Sequence, residues 1–136
     1  MGEVALMDPS KTTDNKLRWH ADVEGVNFKL YVPKWRVPRP WPNRILVRVS
    51  DVPAGAQLWE QAATVASSDS LERPIRVVVE KIRDHTQTVR FAPKGDPKDW
   101  EIGDPYIPYN LLASTSVQAV RIEVSWDRSA GTWSDE

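Results

Sequence analysis

The chain has 136 residues, a formal net charge of −1 and no cysteine. That length suits one domain, and it buries enough surface to fold without covalent or metal crosslinks. The lack of cysteine excludes disulfides, thiolate metal ligands and cysteine nucleophiles, and it fits the reducing cytoplasm, where we expect the protein. No apolar run approaches the roughly 20 residues of a membrane-spanning helix. The opening residues lack the basic start and apolar core of a signal peptide, so we expect neither membrane contact nor export.

The charges are unevenly distributed along the chain. Residues 16–48 hold eight basic and two acidic residues, a net charge of +6. Residues 49–136 hold nine basic and fourteen acidic residues, a net charge of −5, and residues 1–15 carry −2. Such an asymmetry can mark a surface for an anionic partner. It fits equally well with two faces whose charges compensate each other in the fold.

The first fifteen residues are polar and show no periodicity. They predict a flexible N-terminal tail. Residues 16–126 are predicted to form a single β-rich domain, because strand-like alternation begins abruptly at its start. Residues 127–136 show no packing pattern and predict a flexible C-terminal tail, in which Trp133 is either a bystander or a short linear ligand for a partner.

The clearest structural pattern surrounds Glu24-Gly25, where apolar and polar residues alternate on both sides. The apolar positions are Leu17, Trp19, Ala21 and Val23 before the turn, and Val26, Phe28, Leu30 and Val32 after it. A two-residue turn brings all eight to one face, with Trp19 opposite Leu30, as a half-buried hairpin requires. We therefore expect Trp19 in the core and His20 at the solvent face.

Four later segments alternate in the same way, with different regularity. They are residues 44–50, 75–82, 86–91 and 120–126. The second and third form a predicted hairpin in which Val79 faces Phe91. The last segment predicts a strand with Val120, Ile122, Val124 and Trp126 turned inward.

Residues 53–67 differ, because they are rich in alanine and space apolar residues as one short amphipathic helix does. Short strands at hairpin spacing, punctuated by eleven prolines, predict a mainly β fold. We expect a small antiparallel β-barrel or sandwich of about six to seven strands with one short helix.

Gly103-Asp104, between short β-like pieces, resembles the Gly-Asp element of small cradle-loop barrels, such as those of bacterial transcription regulators. The resemblance favours a barrel and implies no functional residue.

The most unusual segment is residues 32–42, VPKWRVPRPWP, which we call the proline-rich strip. Three of its prolines, at alternate positions, lack the N–H that a central strand needs: Pro38, Pro40 and Pro42. Residues before proline favour extended or polyproline II angles, and polyproline II repeats every three residues. In that conformation Trp35 and Trp41 share one face of the strip, and Arg36 and Arg39 share the next.

Tryptophan and arginine are enriched at the energetic centres of protein interfaces. The sequence therefore predicts a non-enzymatic binding or adaptor module that contacts a macromolecular partner, with a protein favoured, through the strip. The predicted partner-binding residues are Lys34, Trp35, Arg36, Arg39 and Trp41. The competing interpretation makes at least one of the two tryptophans a core anchor of a long crossing loop.

Three other functions stay open. The main alternative is a β-barrel that binds single-stranded or modified nucleic acid through residues 16–48, although a chain pI near 6.1 disfavours it. A carbohydrate module and an enzyme using the acidic stretch 96–104 are the others. Asp96 and its neighbours are better explained by turn capping. His20 and His85 are the only histidines and are expected at the surface, so we predict no catalytic residue, no cofactor and no metal site.

Overall fold

The structure, a computed structural model, describes residues 3–52, 71–112 and 117–132. Eight strands in these ranges form one antiparallel sheet in the order β3-β2-β1-β4-β8-β5-β6-β7, and the sheet is nearly closed into a barrel. The strands are β1 (Glu3–Thr12), β2 (Lys16–Val23), β3 (Val26–Pro33), β4 (Pro42–Asp51), β5 (Ile75–Asp84), β6 (Thr88–Pro93), β7 (Tyr106–Pro108) and β8 (Ala119–Thr132). The predicted fold class is confirmed, with slightly more strands than expected. The helix predicted at 53–67 lies outside the described residues.

The hairpin of β2 and β3 has the predicted register. Trp19 faces Leu30, and His20 faces Lys29 on the other side of the ribbon. Glu24 and Gly25 both have positive φ, 51° and 90°, which is the turn geometry that matches the twist of a two-residue hairpin. Trp19 is fully buried, whereas His20 lies partly exposed on the opposite face, as expected.

Strand β1 corrects the prediction of a flexible N-terminal tail. Residues 3–12 lie inside the sheet, paired with β2 on one side and β4 on the other. Ala5 and Met7 are buried, whereas Leu6 and Asp8 between and beyond them are exposed. An apolar residue on the outer face hides the alternation in the sequence, and pairing along both edges orders a segment of low intrinsic β propensity.

Strand β8 corrects the second tail prediction. It continues to Thr132, and Asp127 pairs with Arg44 of β4. Residues 127–132 are therefore part of the sheet, because the long β4 strand extends the pairing beyond the apolar core. Trp133 lies outside the described residues.

The hairpin of β5 and β6 forms with a different register from the predicted one. Val79 faces Pro93, and Phe91 faces Lys81, so the pairing is displaced by two residues from the predicted one. The turn lies at residues 86–87, where His85 N donates to Thr88 O at 2.8 Å, and Ile82 is an extra, exposed residue at the register shift between Lys81 and Arg83. Both Val79 and Phe91 are buried, because a displacement by two residues leaves the same side chains on the inward face.

The two ends of the sheet come together where the segment before β7 meets β3. Gly103 N donates a hydrogen bond to Tyr31 O at 2.8 Å. A Cβ atom at Gly103 would lie 3.2 Å from Tyr31 Cβ, so this approach favours a residue without a side chain. The contact brings loop 97–103 beside the beginning of the proline-rich strip. No helix in the described ranges is long and apolar enough to cross a membrane.

Candidate functional site

The proline-rich strip does not adopt the polyproline II conformation throughout. Lys34–Arg36 form a 3-10 turn, and the expected sharing of faces is wrong. Trp35 is 55% exposed, whereas Trp41 is 5% exposed. Arg36 is buried and Arg39 is exposed. The local preference of the prolines for polyproline II is overridden here, because the Trp41 indole and the Arg36 guanidinium are buried in the fold.

Arg36 fixes the strip to distant parts of the chain. Its side chain is 1% exposed, and Nε donates to Glu101 Oε2 at 2.8 Å. Nη1 donates to Leu71 O at 3.0 Å, and Nη2 donates to Arg73 O at 2.8 Å. Burial lowers the pKa of Arg36, and the hydrogen bond and charge of Glu101 oppose that shift. A partner would have to break these contacts to reach the guanidinium, so Arg36 leaves the set of candidate contact residues.

Trp41 is the anchor that the competing interpretation expected. It belongs to the hydrophobic core. The Arg39 guanidinium carbon lies 4.6 Å from its ring centroid, and the Lys34 ammonium nitrogen lies 5.6 Å from it. Cations at these distances are attracted to the ring quadrupole. Trp41 therefore holds the strip in place, and of the two strip tryptophans only Trp35 presents its indole to solvent.

Trp35 stands at the side of an open groove with a volume of about 640 Å³. Three segments line this groove, which we call the Trp35 groove: residues 14–16 in the β1–β2 turn, residues 33–35 of the strip, and part of loop 97–103. The third segment contributes a second indole, that of Trp100, which is partly exposed. Two indoles in one concave site provide a large apolar contact area at low entropy cost.

Backbone hydrogen bonds hold the walls of the Trp35 groove together. Lys34 N donates to Asn15 O at 2.8 Å and joins the strip to the β1–β2 turn. Gly103 N, bonded to Tyr31 O, joins the opposite wall to β3. These contacts lie within the chain and need no partner, so they hold the lining segments together in the free protein. A preformed site loses less entropy on binding than a site that must be ordered.

The Trp35 groove has a net positive lining. Lys16, Lys34 and Lys98 contribute three charges against the single carboxylate of Asp14. Lys98 Nζ lies 3.7 Å from Asp96 Oδ2, but both side chains are largely exposed, so the pair is weak. Lys16 makes no ion pair with any residue that the structure describes.

The basic excess of residues 16–48 is partly compensated elsewhere. Three arginines of the segment pair with described carboxylates outside it: Arg36 with Glu101, Arg44 with Asp8 and Arg48 with Glu123. The first of these pairs is buried on the arginine side, and the others are surface pairs. These three pairs agree with the interpretation in which the charges of two faces compensate each other in the fold. The positive charge of the groove comes from lysines that lie apart from these pairs.

The acidic stretch 96–104 is divided among separate structural roles. Asp96 Oδ1 accepts a hydrogen bond from Lys98 N at 3.1 Å, which is the expected turn capping. Glu101 pairs with Arg36, and Asp104 Oδ2 lies 2.7 Å from Arg90 Nη2. Within the described ranges, no three His, Cys, Asp or Glu residues are grouped as a metal site requires.

Of the residues that line the Trp35 groove, Trp35 and Lys34 are among the contact residues predicted from the sequence, whereas Trp100, Lys16 and Lys98 are not. Trp100 lies in an aperiodic stretch of turn residues, where no pattern predicts its neighbours. The one available signal was the glycine at position 103, since a glycine can mark a close backbone approach. No protein-family model matches the chain, and no curated protein or solved structure is detectably similar to it.

Proposed function

We propose that the protein is a non-enzymatic binding module that holds a segment of another protein in the Trp35 groove. The observation that carries this proposal is a tryptophan with 55% of its surface exposed beside a preformed cavity of about 640 Å³. Exposed large apolar side chains next to a concave surface mark interaction sites. Tryptophan is also the residue type most enriched at interface hot spots.

The residues proposed to contact the partner differ from the partner-binding residues predicted from the sequence. Trp35 and Lys34 remain in it, and Trp100, Lys16 and Lys98 join them. Trp41 and Arg36 act as the buried supports of the strip. Arg39 lies over the ring of Trp41, so its role in the proposal is to cover that anchor. A cytoplasmic location is part of the proposal, because the chain contains no cysteine.

A selection from a random peptide library tests the proposal. The library is displayed on phage and selected on the full chain, and the recovered peptides are then measured on Trp35→Ala. We expect peptides whose binding weakens by about 30-fold or more in this variant, since loss of a hot-spot indole costs about 2 kcal/mol or more. The matched control is Ile82→Ala, because Ile82 is similarly exposed and does not line the groove. A selection in which every recovered peptide binds Trp35→Ala as well as the wild type contradicts the proposal.

Nucleic-acid binding is the second candidate, and the pairing of two indoles with three lysines in one groove favours it. Indoles stack on unpaired bases, and lysines neutralise phosphates. The net charge of −1, the exposed carboxylate of Asp14 in the groove and that of Asp96, which pairs with Lys98, disfavour it. Titration with oligothymidylate distinguishes the two candidates. Nucleic-acid binding requires a log–log salt dependence of about −0.7 per phosphate contacted.

A further inference from the structure

From the chemistry of the Trp35 groove we infer that its occupant is an extended, proline-containing peptide segment with acidic side chains. The inference rests on the proposed function and specifies the partner of the same site. Three features of the groove carry it: two indoles that solvent reaches, one available hydrogen-bond donor and its excess of lysines.

The apolar surfaces are of the kind that receive a polyproline II helix. Trp35 of the strip and Pro97 and Trp100 of loop 97–103 line the groove with side chains that solvent reaches. Grooves lined by aromatic side chains bind proline-rich segments, because the rings of proline lie flat against indoles. The polyproline II conformation is largely formed before binding, so the peptide loses little entropy. An amphipathic helix needs a continuously apolar groove, whereas Lys16, Lys34 and Lys98 interrupt the apolar lining here.

The two indole N–H groups differ in availability. Trp100 Nε1 donates to Gly95 O at 3.3 Å, so its donor is used within the loop. Trp35 Nε1 makes no hydrogen bond to any residue in the described part of the chain. A polyproline II segment has no internal hydrogen bonds, and its backbone carbonyls project outward. Trp35 can therefore donate to a peptide carbonyl while its ring packs on the neighbouring proline.

The lysines define the charge of the occupant. Lys16, Lys34 and Lys98 outnumber Asp14 by two charges, so acidic side chains on the peptide meet complementary potential. These lysines are near solvent, where each ion pair contributes modestly. Two or three such pairs give a preference of about tenfold at low salt, and salt weakens that preference.

Short synthetic peptides test the inference on the full chain. The probes are repeats of Pro-Pro-Glu, Pro-Pro-Ser and Gly-Gly-Glu, each about nine residues long and thus roughly 28 Å in polyproline II. Binding is measured by calorimetry at low and at physiological salt. We expect Pro-Pro-Glu to bind about tenfold more tightly than Pro-Pro-Ser at low salt. Gly-Gly-Glu is expected to bind far more weakly than Pro-Pro-Glu, because it lacks both the rings and the stiffness.

Variants assign the preference to the groove. In Lys16→Gln/Lys98→Gln, Pro-Pro-Glu should fall to the affinity of Pro-Pro-Ser, while the affinity for Pro-Pro-Ser stays unchanged. These two lysines are chosen because Lys34 also contacts Trp41. Lys29→Gln is the matched control, since Lys29 is exposed on β3 and does not line the groove. Thermal unfolding of each variant at the wild-type temperature shows that the fold is intact.

The opposite results distinguish a failure of the inferred occupant from a failure of the proposed function. If Pro-Pro-Glu binds no more tightly than Pro-Pro-Ser or than Gly-Gly-Glu, the inference is overturned. The proposed function is then tested separately, by whether the binding of library peptides depends on Trp35. If oligothymidylate binds more tightly than every peptide and requires Trp35, both the inference and the protein-binding proposal are overturned in favour of nucleic acid.

Discussion

Removing Glu101 should destabilise the protein more than removing its partner Arg36, although each change breaks the same ion pair. Arg36 is 1% exposed and Glu101 is 29% exposed. Glu101→Ala leaves a guanidinium buried without a counter-charge, and breaking a buried pair in this way costs about 3–5 kcal/mol. Arg36→Met leaves a carboxylate that water can reach, so no charge is stranded inside the protein.

The cost of Arg36→Met follows from the carbonyls that lose a donor. Leu71 O keeps a hydrogen bond from Trp126 Nε1 at 3.1 Å, so Arg73 O is the acceptor most affected. One unsatisfied buried acceptor costs about 1–3 kcal/mol, and the methionine fills part of the space. Because methionine also removes the stranded charge, Arg36→Met/Glu101→Ala should be more stable than Glu101→Ala alone.

Urea unfolding of the wild type and the three variants measures these free energies. Linear extrapolation with a common slope shows whether the transition stays two-state. The double-mutant cycle should show a favourable interaction energy, since Arg36→Met removes the buried charge that Glu101→Ala leaves unpaired. A Glu101→Ala variant that loses less than about 1 kcal/mol, or a double variant as unstable as the sum of both single changes, would falsify the burial argument.

Two further predictions concern the strip and the end of β8. Trp41→Ala should lower the free energy of unfolding by about 3–5 kcal/mol, whereas Trp35→Ala should change it by about 0.5 kcal/mol or less. Similar losses for the two variants in urea unfolding would show that the two indoles do not differ in burial. The Ser129 hydroxyl and amide donate to Asp127 Oδ1 at 2.6 and 3.0 Å, and these bonds lower the pKa of Asp127 from its ordinary 3.8. The resulting stabilisation is present above pH 3.8 and is lost as the pH falls through the lowered folded-state pKa; Ser129→Ala should raise that pKa in a carbon NMR titration, and an unchanged value would contradict the assignment.

The sequence was most informative where one local pattern determined the structure. The β2–β3 hairpin combines strict alternation with a glycine at the turn, so both the register and the buried face of Trp19 could be predicted. Strand β1 lacked such a pattern, because Leu6 and Met7 are adjacent apolar residues that face opposite sides. Its order comes from pairing with strands on both edges, which composition does not reveal.

The candidate site was harder to predict because distant residues build it. Arg36 meets Glu101 across 65 positions of sequence, and its guanidinium is buried while neighbouring Trp35 is exposed. Trp100 and Trp35 line one groove because Gly103 is bonded to Tyr31, which brings loop 97–103 to β3. The composition of the strip predicts a role for its tryptophans, whereas the division into one buried and one exposed indole depends on the tertiary fold.

Nuclear magnetic resonance of the indole N–H groups tests the central claim most directly. The seven tryptophans of the chain each give one indole signal, and single Trp→Phe variants assign those of Trp35, Trp100 and Trp19. During titration with the tightest peptide from the library selection, the signals of Trp35 and Trp100 should shift together and saturably, while that of buried Trp19 stays in place. Saturable binding that leaves the Trp35 signal unmoved would contradict the account, because the peptide would then occupy a different surface.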